Sequence, residues 1–213
     1  MPSHVEQSPA TPGVVGLVLA GGRSMRFGGE KAAADLAGRP LILWAAYRLQ
    51  RSCAVVAANV RQGTQSEALA QGAGLPLLYD VPGDALGPLA GIKVGLMWAR
   101  DQGASALAVS PCDVPLLPDD LFARLIAEAG AGAAMAETPD GVQPLCALWP
   151  VSALAKVTEA LLGGAHPPTW RLLERLGAIR VHFPDARAFA NVNTREDLAA
   201  IHQRYIGATD PAG

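Results

Sequence analysis

Short apolar runs alternate along the chain with segments of helical periodicity. Residues 14–20 are continuously apolar, which is typical of a strand buried on both faces. Further strands are predicted at 53–58, 75–79, 106–110, 133–136, 145–149 and 179–183. Helices are predicted at 40–51, 66–72, 89–100, 118–129, 151–162, 169–176 and 194–206. This order predicts an α/β fold, with a Rossmann-like, mainly parallel sheet and helices on both faces.

The chain length indicates one domain. A single hydrophobic core accommodates 213 residues without splitting. We expect a polar, Pro-rich flexible lead-in at 1–13, a single domain at 14–206 and a flexible tail at 207–213. Thr194 and Asp197 have capping-box spacing at the start of the last predicted helix.

Composition excludes several classes of protein. The net charge is −2 and no long Lys/Arg block occurs, so we expect no nucleic-acid partner. No apolar run reaches the roughly 20 residues of a membrane span, and the N-terminus lacks a signal-peptide pattern. The three cysteines are widely spaced and show no zinc or disulfide pattern, which favours reduced thiols and a cytoplasmic location.

The first strand ends in an unusual loop, LAGGRSMRFGGEK, which combines four glycines with Arg23, Arg26 and Lys31. Glycines let backbone amides approach a ligand closely, and the cations add charge-assisted hydrogen bonds. The loop therefore predicts a polyphosphate site, although it has neither the Walker pattern nor GxGxxG. The alternative is a surface turn with solvated cations. As an exposed loop cation, Lys31 is expected to contribute little to stability.

Polar residues also follow the next strands. Asn59, Asp80 and Asp113 stand at or just after predicted strand ends, and Gly87-Pro88-Leu89-Ala90-Gly91 follows the third strand. In parallel sheets these positions converge on one edge, where ligands bind. Asp113 is either a turn former or a Mg²⁺ ligand, since Mg²⁺ is commonly held by one or two carboxylates plus substrate phosphates. The four histidines have no ligand spacing.

These residues together resemble a known family. LAGGRSMRFGGEK is similar to the nucleotide-binding loop of nucleotidyltransferases. GPLAG at 87–91, PCDVP at 111–115 and NVNT at 191–194 resemble, more narrowly, the molybdenum cofactor guanylyltransferases. The matching stretches occur in the family's order over about residues 14–206.

The resemblance implies transfer of GMP from GTP to molybdopterin, with Mg²⁺ as cofactor and pyrophosphate as the second product. It also implies further protein partners, which deliver the cofactor or accept the product. The nucleotide-binding residues that it implies are Leu19, Ala20, Gly21, Gly22, Lys31, Asn59, Asp80 and Asp113.

The same resemblance implies individual roles. Lys31 and Arg26 would hold the triphosphate, and Asp113 would bind Mg²⁺, so these three are the expected catalytic residues. Asn59 and Asp80 would contact the nucleoside. Asn191 and Asn193 would lie near the pterin.

The chain also departs from the family pattern, and alternatives stay open. Phe27 replaces a common Met, Arg195 replaces a common Pro, and residues 131–185 match weakly. CTP-dependent relatives usually carry Ala at the position of Gly22, so Gly22 favours guanine. The alternatives are a transferase that uses CTP or a sugar-phosphate acceptor, and a nucleotide-binding domain without turnover.

Overall fold

The computed structural model describes residues 13–22, 27–83, 87–162 and 166–209. Within these ranges the strands are Val14–Leu19 (β1), Asp35–Leu36 (β2), Arg39–Pro40 (β3), Val56–Asn59 (β4), Leu77–Leu78 (β5), Ala106–Pro111 (β6), Ala134–Thr138 (β7), Gly141–Pro150 (β8) and Ile179–His182 (β9). The α-helices are Leu41–Gln50 (α1), Gln65–Gly72 (α2), Pro88–Asp101 (α3), Leu121–Ala129 (α4), Leu154–Leu161 (α5), Thr169–Arg175 (α6) and Arg195–Thr209 (α7).

The main sheet has seven strands in the order β5-β4-β1-β6-β8-β7-β9. The pairs β5–β4, β4–β1, β1–β6 and β7–β9 are parallel. Strand β8 lies antiparallel between β6 and β7 and shares a hairpin with β7. The predicted α/β class with a mainly parallel sheet is therefore confirmed.

Helices cover both faces of the sheet. Alternate residues of β1 enter two different cores: Val14 and Val18 join one, and Val15 and Leu17 join the other. The first core includes side chains of α1, α2 and α4, whereas the second includes side chains of α3, α5 and α6. Burial on both faces explains why β1 is apolar throughout. None of the helices in the described ranges combines the length and apolar character needed to cross a membrane.

Several element boundaries differ from the predicted ones by a few residues. Strand β4 begins at Val56 rather than 53, because the amides of Ser52 and Cys53 both donate to the Leu49 carbonyl and close α1. Helix α4 begins at Leu121 rather than 118. Helix α7 continues to Thr209, three residues beyond its predicted end.

Helix α7 returns the end of the chain to the region of the glycine loop. A third buried cluster contains Phe27, Trp44 of α1, Val192 and Ile201 of α7. The predicted capping box is confirmed: the Asp197 amide donates to Oγ1 of Thr194 at 3.1 Å, and the Thr194 amide donates to Oδ2 of Asp197 at 2.9 Å. The Val192–Thr194 segment is thereby held beside the carboxyl ends of the strands.

Candidate active site

A cleft of about 790 Å³ opens at the carboxyl ends of β1, β4, β5 and β6. This is the edge at which open α/β sheets bind ligands. All the predicted nucleotide-binding positions line it, namely Leu19, Ala20, Gly21, Gly22, Lys31, Asn59, Asp80 and Asp113. Arg26, the remaining predicted catalytic residue, lies outside the described residues.

A cation and a carboxylate meet in this cleft although they lie 82 residues apart in sequence. The Lys31 ammonium donates to Oδ2 of Asp113 at 2.6 Å. It also donates to Oδ1 of Asn193 at 3.3 Å. The glycine loop, the end of β6 and the segment before α7 therefore converge on one point. Asn193 was expected near the pterin, and its contact with Lys31 places it beside the expected phosphate-binding cation; Asn191 is exposed.

A backbone hydrogen bond fixes Asn193 beside this pair. The Val192 amide donates to the Asp113 carbonyl at 2.8 Å, and the Val192 side chain is fully buried. The Asn193 amide donates in turn to the Asp197 carboxylate at 2.9 Å. Hydrogen bonds from the amides of Asn193 and Thr194 hold the pKa of Asp197 below its usual value.

Lys31 is not an exposed loop cation. Its side chain is only 16% exposed and that of Asp113 is 22% exposed, so the expectation of an exposed cation is wrong. A partly buried ion pair loses less of its attraction to solvent screening than a surface pair does. Lys31 begins the 3-10 turn Lys31–Ala33, which contacts α1 and α2 and buries Ala32 in the first core.

Glu30 attaches the glycine loop to the start of α2. Its carboxylate accepts from the Gln65 amide at 2.6 Å, the Ser66 amide at 2.9 Å and the Ser66 hydroxyl. Carboxylates are stabilised at a helix N-terminus, where backbone amides are free to donate. Burial raises the pKa of Glu30, but these hydrogen bonds together lower it by a larger amount, so the net shift is downward. Sequence reasoning missed this role because the contact spans 35 residues.

A second polar pair lies in the same cleft. The Asn59 amide nitrogen donates to Oδ1 of Asp80 at 2.9 Å and to the Leu78 carbonyl at 3.4 Å. Asn59 is 3% exposed, so Asp80 and the β5 backbone fix the orientation of its side chain. The second carboxylate oxygen of Asp80 can accept a hydrogen bond from a ligand. Asn59 and Asp80 are thus brought together as their positions after neighbouring strands predicted.

The cleft also contains residues to which no site role was assigned from the sequence. Arg61, Gln62 and Tyr79 line it beyond β4 and β5, and Leu145 lines it from the antiparallel strand β8. Arg61 follows the second predicted strand, at the edge where ligands were expected, and Tyr79 ends the third, which is the signal that could have identified both as site residues. Leu145 carried no such signal, because its position depends on the pairing of β8 with β6.

Cys112 lines the cleft next to Asp113 but is unsuited to nucleophilic chemistry. Burial, together with the neighbouring Asp113 charge, raises the pKa of its thiol to about 12. The thiolate is the reactive form of cysteine, so this thiol is chemically inert at neutral pH.

The cleft suits a hard cation that is held partly by the protein and partly by a bound substrate. No group of three or more His, Cys, Asp or Glu side chains among the described residues could bind a metal by itself. Mg²⁺ does not need such a group, because substrate phosphates supply part of its coordination. Asp113 offers the oxygen ligand that Mg²⁺ prefers, at the cleft wall beside Lys31.

Comparisons with known proteins identify the family of this chain. Residues 16–179 match the model of the MobA-like NTP transferase domain. The molybdenum cofactor guanylyltransferase of Cereibacter sphaeroides is 42% identical over 86% of this chain and 93% of its own. That of Rhodobacter capsulatus is 40% identical over 90% of this chain and 96% of its own.

Solved structures show the same fold. Molybdopterin-guanine dinucleotide biosynthesis protein A from Archaeoglobus fulgidus superposes with a TM-score of 0.69 at 25% identity, over 91% of this chain and 99% of its own. A nucleotidyl transferase from Methanothermobacter superposes with a TM-score of 0.76 over 93% and 100% of the two chains; at 16% identity it supports the fold alone. The chain therefore belongs to the MobA-like NTP transferase family and is a nucleotidyltransferase.

Proposed function

We propose that this enzyme transfers GMP from GTP to molybdopterin and releases pyrophosphate. The Lys31–Asp113 pair is the observation that carries the proposal. It presents opposite charges beside a glycine loop, as required where a triphosphate and its divalent cation bind together. The names of the relatives at about 40% identity supply guanine and the molybdenum cofactor.

The reaction requires positioning more than covalent catalysis. An oxygen of the acceptor phosphate attacks the α-phosphorus of GTP, a new P–O bond forms, and the bond to the bridging oxygen of the leaving pyrophosphate breaks. The Leu19–Gly21 backbone lies along the cleft wall, where it can hold the phosphates. Lys31 would turn from Asp113 to the triphosphate and offset charge that develops on the leaving group. Asn59 and Asp80 would hold the nucleoside.

Asp113 is the residue that would hold Mg²⁺. When bound, Mg²⁺ supplies Lewis-acid stabilisation of the phosphate oxygens. The Lys31 ammonium donates to Asp113 at 2.6 Å, so the carboxylate that would hold Mg²⁺ lies beside the cation that would hold the triphosphate.

A nucleotide panel tests the proposal. A ligand at a hundredfold excess over its Kd stabilises the folded state by about 2.7 kcal/mol. For a domain of this size that corresponds to a rise in Tm of roughly 5–10 °C. We expect GTP with Mg²⁺ to give a larger rise than CTP, ATP or UTP, and GTP with molybdopterin to release pyrophosphate.

The other outcomes are equally informative. A larger Tm rise with CTP, together with pyrophosphate release from CTP, would show that CTP and not GTP is the substrate. Nucleotide binding without pyrophosphate release from any acceptor would indicate a binding domain and contradict the proposal.

A further inference from the structure

The Asn59 side chain lies between two glycines from different elements. A methyl group added at Gly21, in the glycine loop, would lie 3.2 Å from Oδ1 of Asn59. One added at Gly91, in the first turns of α3, would lie 2.5 Å from the same oxygen and 3.0 Å from Cγ. Helix α3 thus approaches Asn59 more closely than any residue with a Cβ would allow.

A side chain at Gly91 would have to displace Asn59 rather than the helix. Helix α3 is fixed by Leu89, Ile92 and Leu96, each at most 4% exposed in the core. A methyl at Gly91 would also lie 2.8 Å from Cδ2 of Leu19, another side chain of the cleft. Both displaced groups belong to the cleft, so the disturbance would reach the site.

Moving Asn59 would break its contact with Asp80. The Asn59 amide is held by one hydrogen bond of 2.9 Å to that carboxylate and a longer one of 3.4 Å to the Leu78 carbonyl. A rotation that carries Oδ1 away from α3 also moves Nδ2, because both atoms belong to one planar amide.

We propose that Gly91 is a positioning residue for the nucleotide site. Its missing side chain lets α3 hold the Asn59 amide against Asp80 in the orientation that the nucleotide meets. This inference rests on the proposed function in so far as the Asn59–Asp80 pair contacts the nucleotide. It gives the last glycine of the GPLAG stretch a physical role.

Gly95 provides a matched control one turn further along α3. A methyl at Gly95 would lie 2.5 Å from Cδ2 of Leu17 and 2.8 Å from Cδ2 of Leu107. Both leucines are fully buried core residues, and neither lines the cleft. Gly91→Ala and Gly95→Ala therefore make the same substitution, in the same helix, at the same closest distance, but press on different neighbours.

The first experiment measures GTP affinity by calorimetric titration with Mg²⁺. We expect Gly91→Ala to raise the Kd at least tenfold and Gly95→Ala to raise it less than threefold, although both lower the Tm. Equal effects of the two variants on the Kd, or a Gly91→Ala variant within threefold of the wild type, would overturn the positioning role.

A second experiment needs no ligand. Asn59→Ala leaves a space that the methyl of Gly91→Ala can fill, so the Tm loss caused by Gly91→Ala should be smaller in the Asn59→Ala background. The loss caused by Gly95→Ala should be unchanged there, since Leu17 and Leu107 are unaffected. If the Tm losses of Gly91→Ala and Asn59→Ala simply add, the two groups do not compete for space and the inference fails.

Failure of the proposed function gives a different pattern. If the wild type binds CTP, ATP or UTP in place of GTP, the guanine assignment is wrong, and the affinity comparison is made with the nucleotide that binds. If it binds none of the four, the positioning role falls with the function, whatever the Tm cycle shows.

Discussion

The Asp113→Asn substitution distinguishes between two roles of Asp113, as a metal ligand and as a turn residue. The side chain keeps its shape, and the amide oxygen can still accept from the Lys31 ammonium, which now lies 2.6 Å from Oδ2. What disappears is the negative charge. Hard cations prefer carboxylate oxygen, so under the proposed metal role Mg²⁺ would lose its protein ligand while the fold loses little.

The size of each effect follows from the contacts. A hydrogen bond between charged groups contributes about 1.5–3 kcal/mol to stability, and because Asn retains part of it we expect a loss of about 1 kcal/mol. For a chain of this length that lowers the Tm by roughly 2–4 °C. Loss of a group that stabilises transition-state charge costs about 10²–10³-fold in rate. The effect on the rate should therefore far exceed the effect on the Tm.

The assay is pyrophosphate release at fixed GTP over a titration of Mg²⁺, with the Tm measured in parallel. Asp185→Asn is the matched control, because Asp185 accepts from the Arg187 amide at 2.9 Å and does not line the cleft. We expect the control to retain the wild-type rate and Mg²⁺ dependence. An Asp113→Asn enzyme that keeps more than about a tenth of the rate at the same Mg²⁺ would refute the metal role. A Tm loss as large as that of a core mutation would make Asp113 structural.

Three further predictions concern Lys31, Glu30 and two buried cysteines. Lys31→Met leaves Asp113 partly buried without its cation, so we expect a stability loss of about 1–3 kcal/mol by calorimetry and a rate loss of at least about 100-fold; an unchanged rate would exclude Lys31 from the reaction. Glu30 has a folded pKa below its usual value of 4.5, so its contribution to stability is complete above that pH and is lost as the pH falls through the folded pKa. The Tm difference between wild type and Glu30→Gln should therefore shrink on acidification below about pH 4.5, and a constant difference would contradict the α2 contact. Burial raises the pKa of Cys53 and Cys112 to about 12, so at about pH 8 alkylation of the folded protein should be slow and should accelerate in urea; rapid native alkylation would show that the thiols are exposed.

The fold class and most of the cleft wall could be predicted from the sequence. An uninterrupted apolar run at β1 indicates burial on both faces, as in a parallel sheet covered by helices. Parallel strands end at one edge, so the positions of Asn59, Asp80 and Asp113 after strands were enough to bring them into one cleft. The glycine loop predicted a polyphosphate site from its local spacing of glycines and cations, and its Gly21, Gly22 and Lys31 line the cleft.

Which of these groups touch depends on the packing of elements that are far apart in the chain. The contacts of Lys31 with Asp113 and Asn193 span 82 and 162 residues, and no local pattern encodes a pairing at that separation. The order of the strands and the insertion of antiparallel β8 beside β6 set which loops meet. The burial of Lys31 and the approach of Gly91 to Asn59 follow from packing, because a side chain's surroundings depend on elements distant in the chain.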